Sequence, residues 1–153
     1  MCDRQHGFMK GKSTESAWEC LKKYVSESEC KYVLGVFVDF QGAFDNLEWK
    51  SVFEMLVEFG CDEIEIGLWR SYFSNRWVCM EGVNGVVWKE VLRGCPQGSI
   101  SGPFIWDLMM DRLLWALVNA GFKCVAYADD LVGVVEGMSR AELERKGARL
   151  MHI

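Results

Sequence analysis

An aspartate closes a greasy run at Val36-Phe37-Val38-Asp39-Phe40. An ionised carboxylate among such neighbours loses hydration, so its charge needs a partner. The competing reading is a residue just past a strand end, capping a turn. A second acidic feature, Tyr127-Ala128-Asp129-Asp130-Leu131, sets adjacent carboxylates between two apolar stretches. Alone, that pattern is a hairpin turn, because Asp is a favoured turn residue. If the strand ending at Asp39 pairs beside the hairpin, three carboxylates meet, with no Lys or Arg in either segment. Oxygen-only ligands of that kind select Mg²⁺, with Mn²⁺ as a substitute, and leave positions for water and phosphate oxygens. Two such ions roughly 4 Å apart activate a hydroxyl nucleophile and stabilise a leaving pyrophosphate. Together the two acidic segments propose metal-assisted phosphoryl chemistry.

A third feature is the loop Gly94-Cys95-Pro96-Gln97-Gly98-Ser99-Ile100-Ser101-Gly102. Its glycines permit close approaches that a side chain would block, and Gln97 offers both a donor and an acceptor. A helix starting near Pro103 would present free N–H groups to phosphate. An ordinary loop-to-helix connection accounts for the same residues.

The elements that must position these groups read as follows. Ser13 or Thr14 caps a helix whose apolar positions Ala17, Trp18, Leu21, Tyr24 and Val25 recur at helical spacing. Residues 32–38 form an apolar, β-branched and aromatic run, expected as a strand buried on both faces. A second helix runs from the N-cap Asn46 to Gly60, and Asp62 with Glu65 forms a capping box for a third. Residues 77–81 and 86–92 flank Asn84-Gly85, a strong hairpin signal. A long helix then runs from Pro103 to about Asn119, with Gly121 past its end. Strands 122–128 and 131–135 enclose the acidic doublet, and Ser139 with Glu142 caps a last helix. Mixed order with antiparallel hairpins indicates an α+β fold, a sheet with helices packed on one face.

The chain has 153 residues, half of them hydrophobic, which supports a buried core and excludes wholesale disorder. One compact unit is expected. Its net charge of −5 argues against a domain held to nucleic acid by bulk electrostatics. It leaves open an enzyme whose acids surround metal ions. No apolar run approaches the roughly 18 residues needed to cross a bilayer, and the polar N-terminus has no signal-peptide core. The seven cysteines include no Cys-x-x-Cys pair, so neither a zinc motif nor a disulfide framework is indicated. A reduced, intracellular chain is expected.

Three segments carry a family resemblance. Val38-Asp39-Phe40-Gln41-Gly42-Ala43-Phe44-Asp45-Asn46, then Gly94 to Ser99 with Gly102-Pro103, then Ala126 to Leu131 resemble motifs A, B and C of reverse transcriptases. They occur in the family's order. Gln5-His6-Gly7-Phe8, with Gly11-Lys12-Ser13-Thr14, is similar to the segment before motif A in the non-LTR (LINE-type) retrotransposon branch. The resemblance covers about Gln5 to Val135.

It implies a polymerase palm with part of the fingers and no thumb: residues 1–30 on the fingers side, 31–153 as palm. Asp39 and Asp129 are implied as metal-ligand aspartates, Asp130 as the third acid, and the Phe40 carbonyl as a further ligand to two Mg²⁺ ions. Phe44 matches the aromatic steric gate, since an apolar ring leaves a sugar 2′-hydroxyl without room or partner. Gln97 and Gly98 match positions contacting the incoming nucleotide and template. Lys10 and Lys12 are implied to approach the template or triphosphate, although Met9-Lys10 stands in place of the usual Arg. The implied partners are an RNA template, a DNA primer, deoxynucleoside triphosphates and the rest of a retroelement polyprotein. The implied location is nuclear when chromosomal DNA is the target.

Two other readings stand beside this one: a non-catalytic relic of a retroelement, and a different Mg²⁺ phosphotransferase such as a nucleotidyl cyclase. Gln97 and Phe44 count against the second. His6 and His152 read as neither ligands nor bases. The seven tryptophans read mostly as core, and Cys95 as the cysteine whose modification would affect activity.

Overall fold

Ser13 opens the first helix by reciprocal capping: its Oγ accepts from the Ser16 amide at 3.2 Å, and Ser16 Oγ accepts from the Ser13 amide at 2.9 Å. The computed structural model describes residues 1–153. Its elements are α1 (Thr14–Ser26), β1 (Tyr32–Val38), α2 (Trp49–Glu58), α3 (Glu63–Phe73), β2 (Trp77–Gly82), β3 (Gly85–Glu90), α4 (Ser101–Asn119), β4 (Lys123–Tyr127), β5 (Asp130–Gly137) and α5 (Arg140–Leu150).

These elements divide into two compact units rather than one. The first joins Met1–Gln41 to Pro103–Ile153, and the second is Gly42–Gly102. The reason lies in strand pairing. Because β1 pairs with β5, the two ends of the chain build one sheet, and the segment between them forms its own cluster.

In the first unit the strand order is β1-β5-β4, antiparallel throughout. The α+β class is the one expected. Central β5 is almost wholly buried, whereas β1 is an edge strand on which Phe37 is 78% exposed. The expectation that β1 is buried on both faces therefore fails; the strand in that position is β5. Alternation puts Val132 and Val134 on one face of β5 and Gly133 on the other. Tyr24 of α1 packs with Val125, Val132 and Val134, while Leu150 of α5 lies against Gly133. Helices thus cover both faces, not one. Each aliphatic side chain so buried contributes about 1.5–3 kcal/mol.

In the second unit Phe73 is fully buried between Trp49, stacked at 5.2 Å, and Phe53 and Trp69, each at 6.1 Å. The Asp62–Glu65 capping box forms as expected. Helix α2 starts at Trp49 after Glu48, later than the Asn46 cap expected, because Asn46 N–H instead donates to Gly42 O at 2.8 Å in a turn. The β2–β3 hairpin turns at Val83-Asn84, with Gly85 already paired to Gly82. Both of its strands are exposed along their whole length. Trp77 and Trp88 on this ribbon, with Trp18 and Trp115 elsewhere, are exposed, and Trp49 and Trp69 are half-buried, so Trp106 is the one tryptophan of the seven that is buried.

Candidate functional site

The register of the three-stranded sheet decides where the carboxylates lie. Val38 pairs with Leu131, so Asp39, one residue on, comes level with Asp130, which faces Tyr127 across the β4–β5 hairpin. Asp39 and Asp130 both line a cavity of about 470 Å³. Its walls are Thr14, Ala17, Trp18 and Leu21 of α1, with Phe37, Val125 and Val132 of the sheet. Asp129 occupies the turn itself and is half-buried, whereas Asp39 and Asp130 are exposed.

None of the three acids forms an ion pair. As donors they are uncommitted oxygens, the chemistry that suits Mg²⁺ or Mn²⁺. No three His, Cys, Asp or Glu side chains are gathered as one metal-holding group. Two acids therefore share a cavity, and the third stands beside them in sequence.

The turn bearing these acids is held from several sides. Ala128 has φ of 55°, a left-handed conformation that a non-glycine residue adopts only when its surroundings fix it. Its carbonyl accepts from Gln5 Nε2 at 3.1 Å and from the indole Nε1 of Trp106 at 3.0 Å. Its N–H donates to Gln5 Oε1 at 3.1 Å. The segment bearing Gln5 runs along β4 as a short parallel bridge, His6 N–H donating to Ala126 O and Ala126 N–H to Arg4 O. Gly7 passes so near that a Cβ there would lie 2.1 Å from Ala128 N. The Phe40 ring meets Trp106 edge-on at 5.7 Å, tying the residue after Asp39 to the same support.

Among the basic candidates, Lys10 is exposed. Lys12 is occupied locally, its ammonium donating to Asp3 Oδ1 at 2.8 Å and to Gln5 O at 3.0 Å. This ion pair holds the Asp3 carboxyl below its usual range. His6 is buried against Ser16 Oγ at 2.6 Å. Burial, and then the Lys12 charge, hold its pKa below the ordinary histidine value.

Phe44, Gln97 and Gly98 belong to the second unit. There Cys95 N–H donates to Phe44 O at 2.8 Å, Gly94 N–H to Leu47 O at 2.7 Å, and Trp49 Nε1 to Gly94 O at 2.8 Å. These bonds stitch the 94–102 loop to the chain around Phe44. Phe44 is half-buried, with Cε1 3.5 Å from where a Cβ on Gly102 would lie. Gln97 and Gly98 are exposed in a turn closed by Ser99 N–H to Pro96 O at 3.1 Å. Cys95 is only 3% exposed, its sulfur 3.4 Å from Ser99 Oγ, so it is shielded from the modification expected of it.

Sequence reasoning missed Gln5 and Trp106 as supports of the acidic turn. Gln5-His6-Gly7-Phe8 carried a family resemblance but no role, and Trp106 read as ordinary core. A buried glutamine in an otherwise polar loop leaves little signal in sequence alone.

A family model described as reverse transcriptase (RNA-dependent DNA polymerase) matches residues 1–151. The chain is 53% identical over 152 residues to a 115 kDa protein in the type-1 retrotransposable element R1DM of Drosophila melanogaster. It is 52% identical over 149 residues to the retrovirus-related Pol polyprotein from type-1 retrotransposable element R1 of Bradysia coprophila. These matches cover 99% and 97% of the chain but 15% of each relative. The chain therefore spans about a seventh of the length of these curated relatives.

Proposed function

Because this chain belongs to the reverse transcriptase (RNA-dependent DNA polymerase) family, we propose that it supplies the carboxylate-bearing core of an RNA-directed DNA polymerase of a non-LTR retrotransposon. The observation that carries this reading is the shared cavity of Asp39 and Asp130, brought together by antiparallel pairing of β1 with β5. The R1-element relatives support the class of element.

In the proposed reaction the 3′-hydroxyl oxygen of a DNA primer attacks the α-phosphorus of a deoxynucleoside triphosphate paired to an RNA template. A new phosphodiester bond forms, the bond to the β-phosphate oxygen breaks, and pyrophosphate leaves while the hydroxyl proton passes to solvent. Two Mg²⁺ ions held by Asp39, Asp129, Asp130 and the Phe40 carbonyl would supply hydroxyl activation and neutralise charge on the leaving group. Phe44 excludes a 2′-hydroxyl by offering an apolar ring and no hydrogen-bond partner. Gln97 and Gly98 contact the incoming nucleotide and template, and Lys10 supplies positive charge toward phosphate. Lys12 holds the N-terminal segment instead. The rest of a polyprotein would grip the duplex, and the product would enter chromosomal DNA in the nucleus.

A primer-extension assay with RNA template and Mg²⁺ tests this on the polyprotein that contains the chain. Asp39→Asn is expected to lower the rate at least about 100-fold; an unchanged rate refutes the assignment. The isolated 153-residue chain is expected to make at most short products.

A second reading is favoured by the failure of three ligating side chains to gather as one group: a chain that keeps the family's fold without catalysis. No extension by the polyprotein, with its fold intact, would select that reading.

A further inference from the structure

We propose that Gln5 is a positioning residue for the Ala128-Asp129 turn, its side-chain amide fixing where the Asp129 and Asp130 carboxylates stand; this rests on reading the turn as part of the polymerase centre. Gln5 is 2% exposed in a segment otherwise rich in polar and charged residues. Its Nε2 donates to Ala128 O, and its Oε1 accepts from Ala128 N–H, both at 3.1 Å. The same Oε1 accepts from the amides of His6 and Gly7, each at 2.9 Å. A primary amide is suited to this because it donates and accepts from adjacent coplanar atoms, as a peptide group does.

The partner matters as much as the count. Ala128 is the residue before Asp129, and its left-handed φ of 55° sets the direction in which the chain leaves β4. Such a conformation persists where surrounding groups over-determine it. With Gln5 removed, Trp106 still holds the Ala128 carbonyl, but the Ala128 N–H loses its acceptor. The turn then relaxes and the two carboxylates spread. Gln5 itself touches no substrate. It acts as outer-shell partners do on metal ligands, where mutation costs about 10- to 100-fold in affinity.

The test uses the 153-residue chain with Mn²⁺ as probe, free ion being followed by electron paramagnetic resonance and Ala128 amide exchange by NMR. Gln5→Met keeps the length and removes every polar atom; Gln5→Ala removes the side chain as well. Both are expected to weaken Mn²⁺ binding about tenfold and to speed Ala128 exchange. Val33→Ala, which trims a half-buried β1 side chain packed on the Tyr24 cluster away from the turn, is expected to lower thermal stability while leaving Mn²⁺ affinity unchanged. If Gln5→Ala does not fold, Gln5→Met decides. Mn²⁺ binding lost in Asp39→Asn yet unchanged in the Gln5 variants overturns the positioning role. Mn²⁺ binding absent from the parent chain, or indifferent to Asp39→Asn, overturns the site reading beneath it.

Discussion

The indole Nε1 of Trp106 donates to the carbonyl oxygen of Ala128 at 3.0 Å, so helix α4 grips the peptide that leads into Asp129. The same indole meets Phe40, the residue following Asp39. One side chain thus braces both acidic segments within the first unit.

Trp106→Phe keeps an aromatic ring for Phe40 and deletes the hydrogen bond. A net loss of about 1 kcal/mol in unfolding free energy is expected from urea titration. Polymerisation by the polyprotein is expected to fall with it. A stability change without any change in rate would separate Trp106 from the turn's alignment.

Gly7→Ala is expected to cost more. The new methyl would lie 2.1 Å from Ala128 N, against backbone that cannot swing aside. Relief requires moving the 4–7 segment off β4, with loss of its bonds to Ala126. Destabilisation of about 2 kcal/mol or more is expected by the same titration.

Asp107 gives a pH signature. It is 3% exposed on α4, its Oδ1 has no hydrogen-bond partner, and burial together with the nearby Asp111 pushes its pKa up to about 7. A carboxyl whose folded pKa is raised favours the folded state when protonated. Its contribution is complete below about pH 4 and is lost as pH rises through about 7. Asp107→Asn is expected to flatten stability across that window and to raise it at pH 8 by on the order of 2 kcal/mol. Thermal melts at pH 4, 6 and 8 check this.

Phe44→Ala in the polyprotein is expected to admit ribonucleotides. The half-buried ring would be replaced by space large enough for a 2′-hydroxyl. Ribonucleotide use relative to deoxynucleotide is expected to rise about 10- to 100-fold in single-nucleotide insertion. Unchanged discrimination would remove Phe44 from the sugar site.

Local signals were readable and distant ones were not. The Asp62–Glu65 box and the Ser139 cap involve residues three apart, and both form as their spacing indicates. The acidic hairpin is likewise local, but its turn is Ala128-Asp129, one residue earlier than the doublet expected, because Asp130 already pairs with Tyr127 as the first residue of β5. The apolar run of β1, by contrast, reads the same in a central strand as at an edge. Only its pairing with β5 alone reveals an edge. The support of Ala128 by Gln5 spans 123 residues of chain and obeys no periodicity. Division into two units follows from the same long-range pairing, which no composition shift marks.

With β5 on one side and no strand on the other, β1 presents a row of free amide and carbonyl groups beside the solvent-facing Tyr32, Leu34 and Phe37. Such a margin accepts a further strand. Prepared alone at high concentration, the chain should self-associate through that margin, and Leu34→Lys or Phe37→Lys should keep it dispersed.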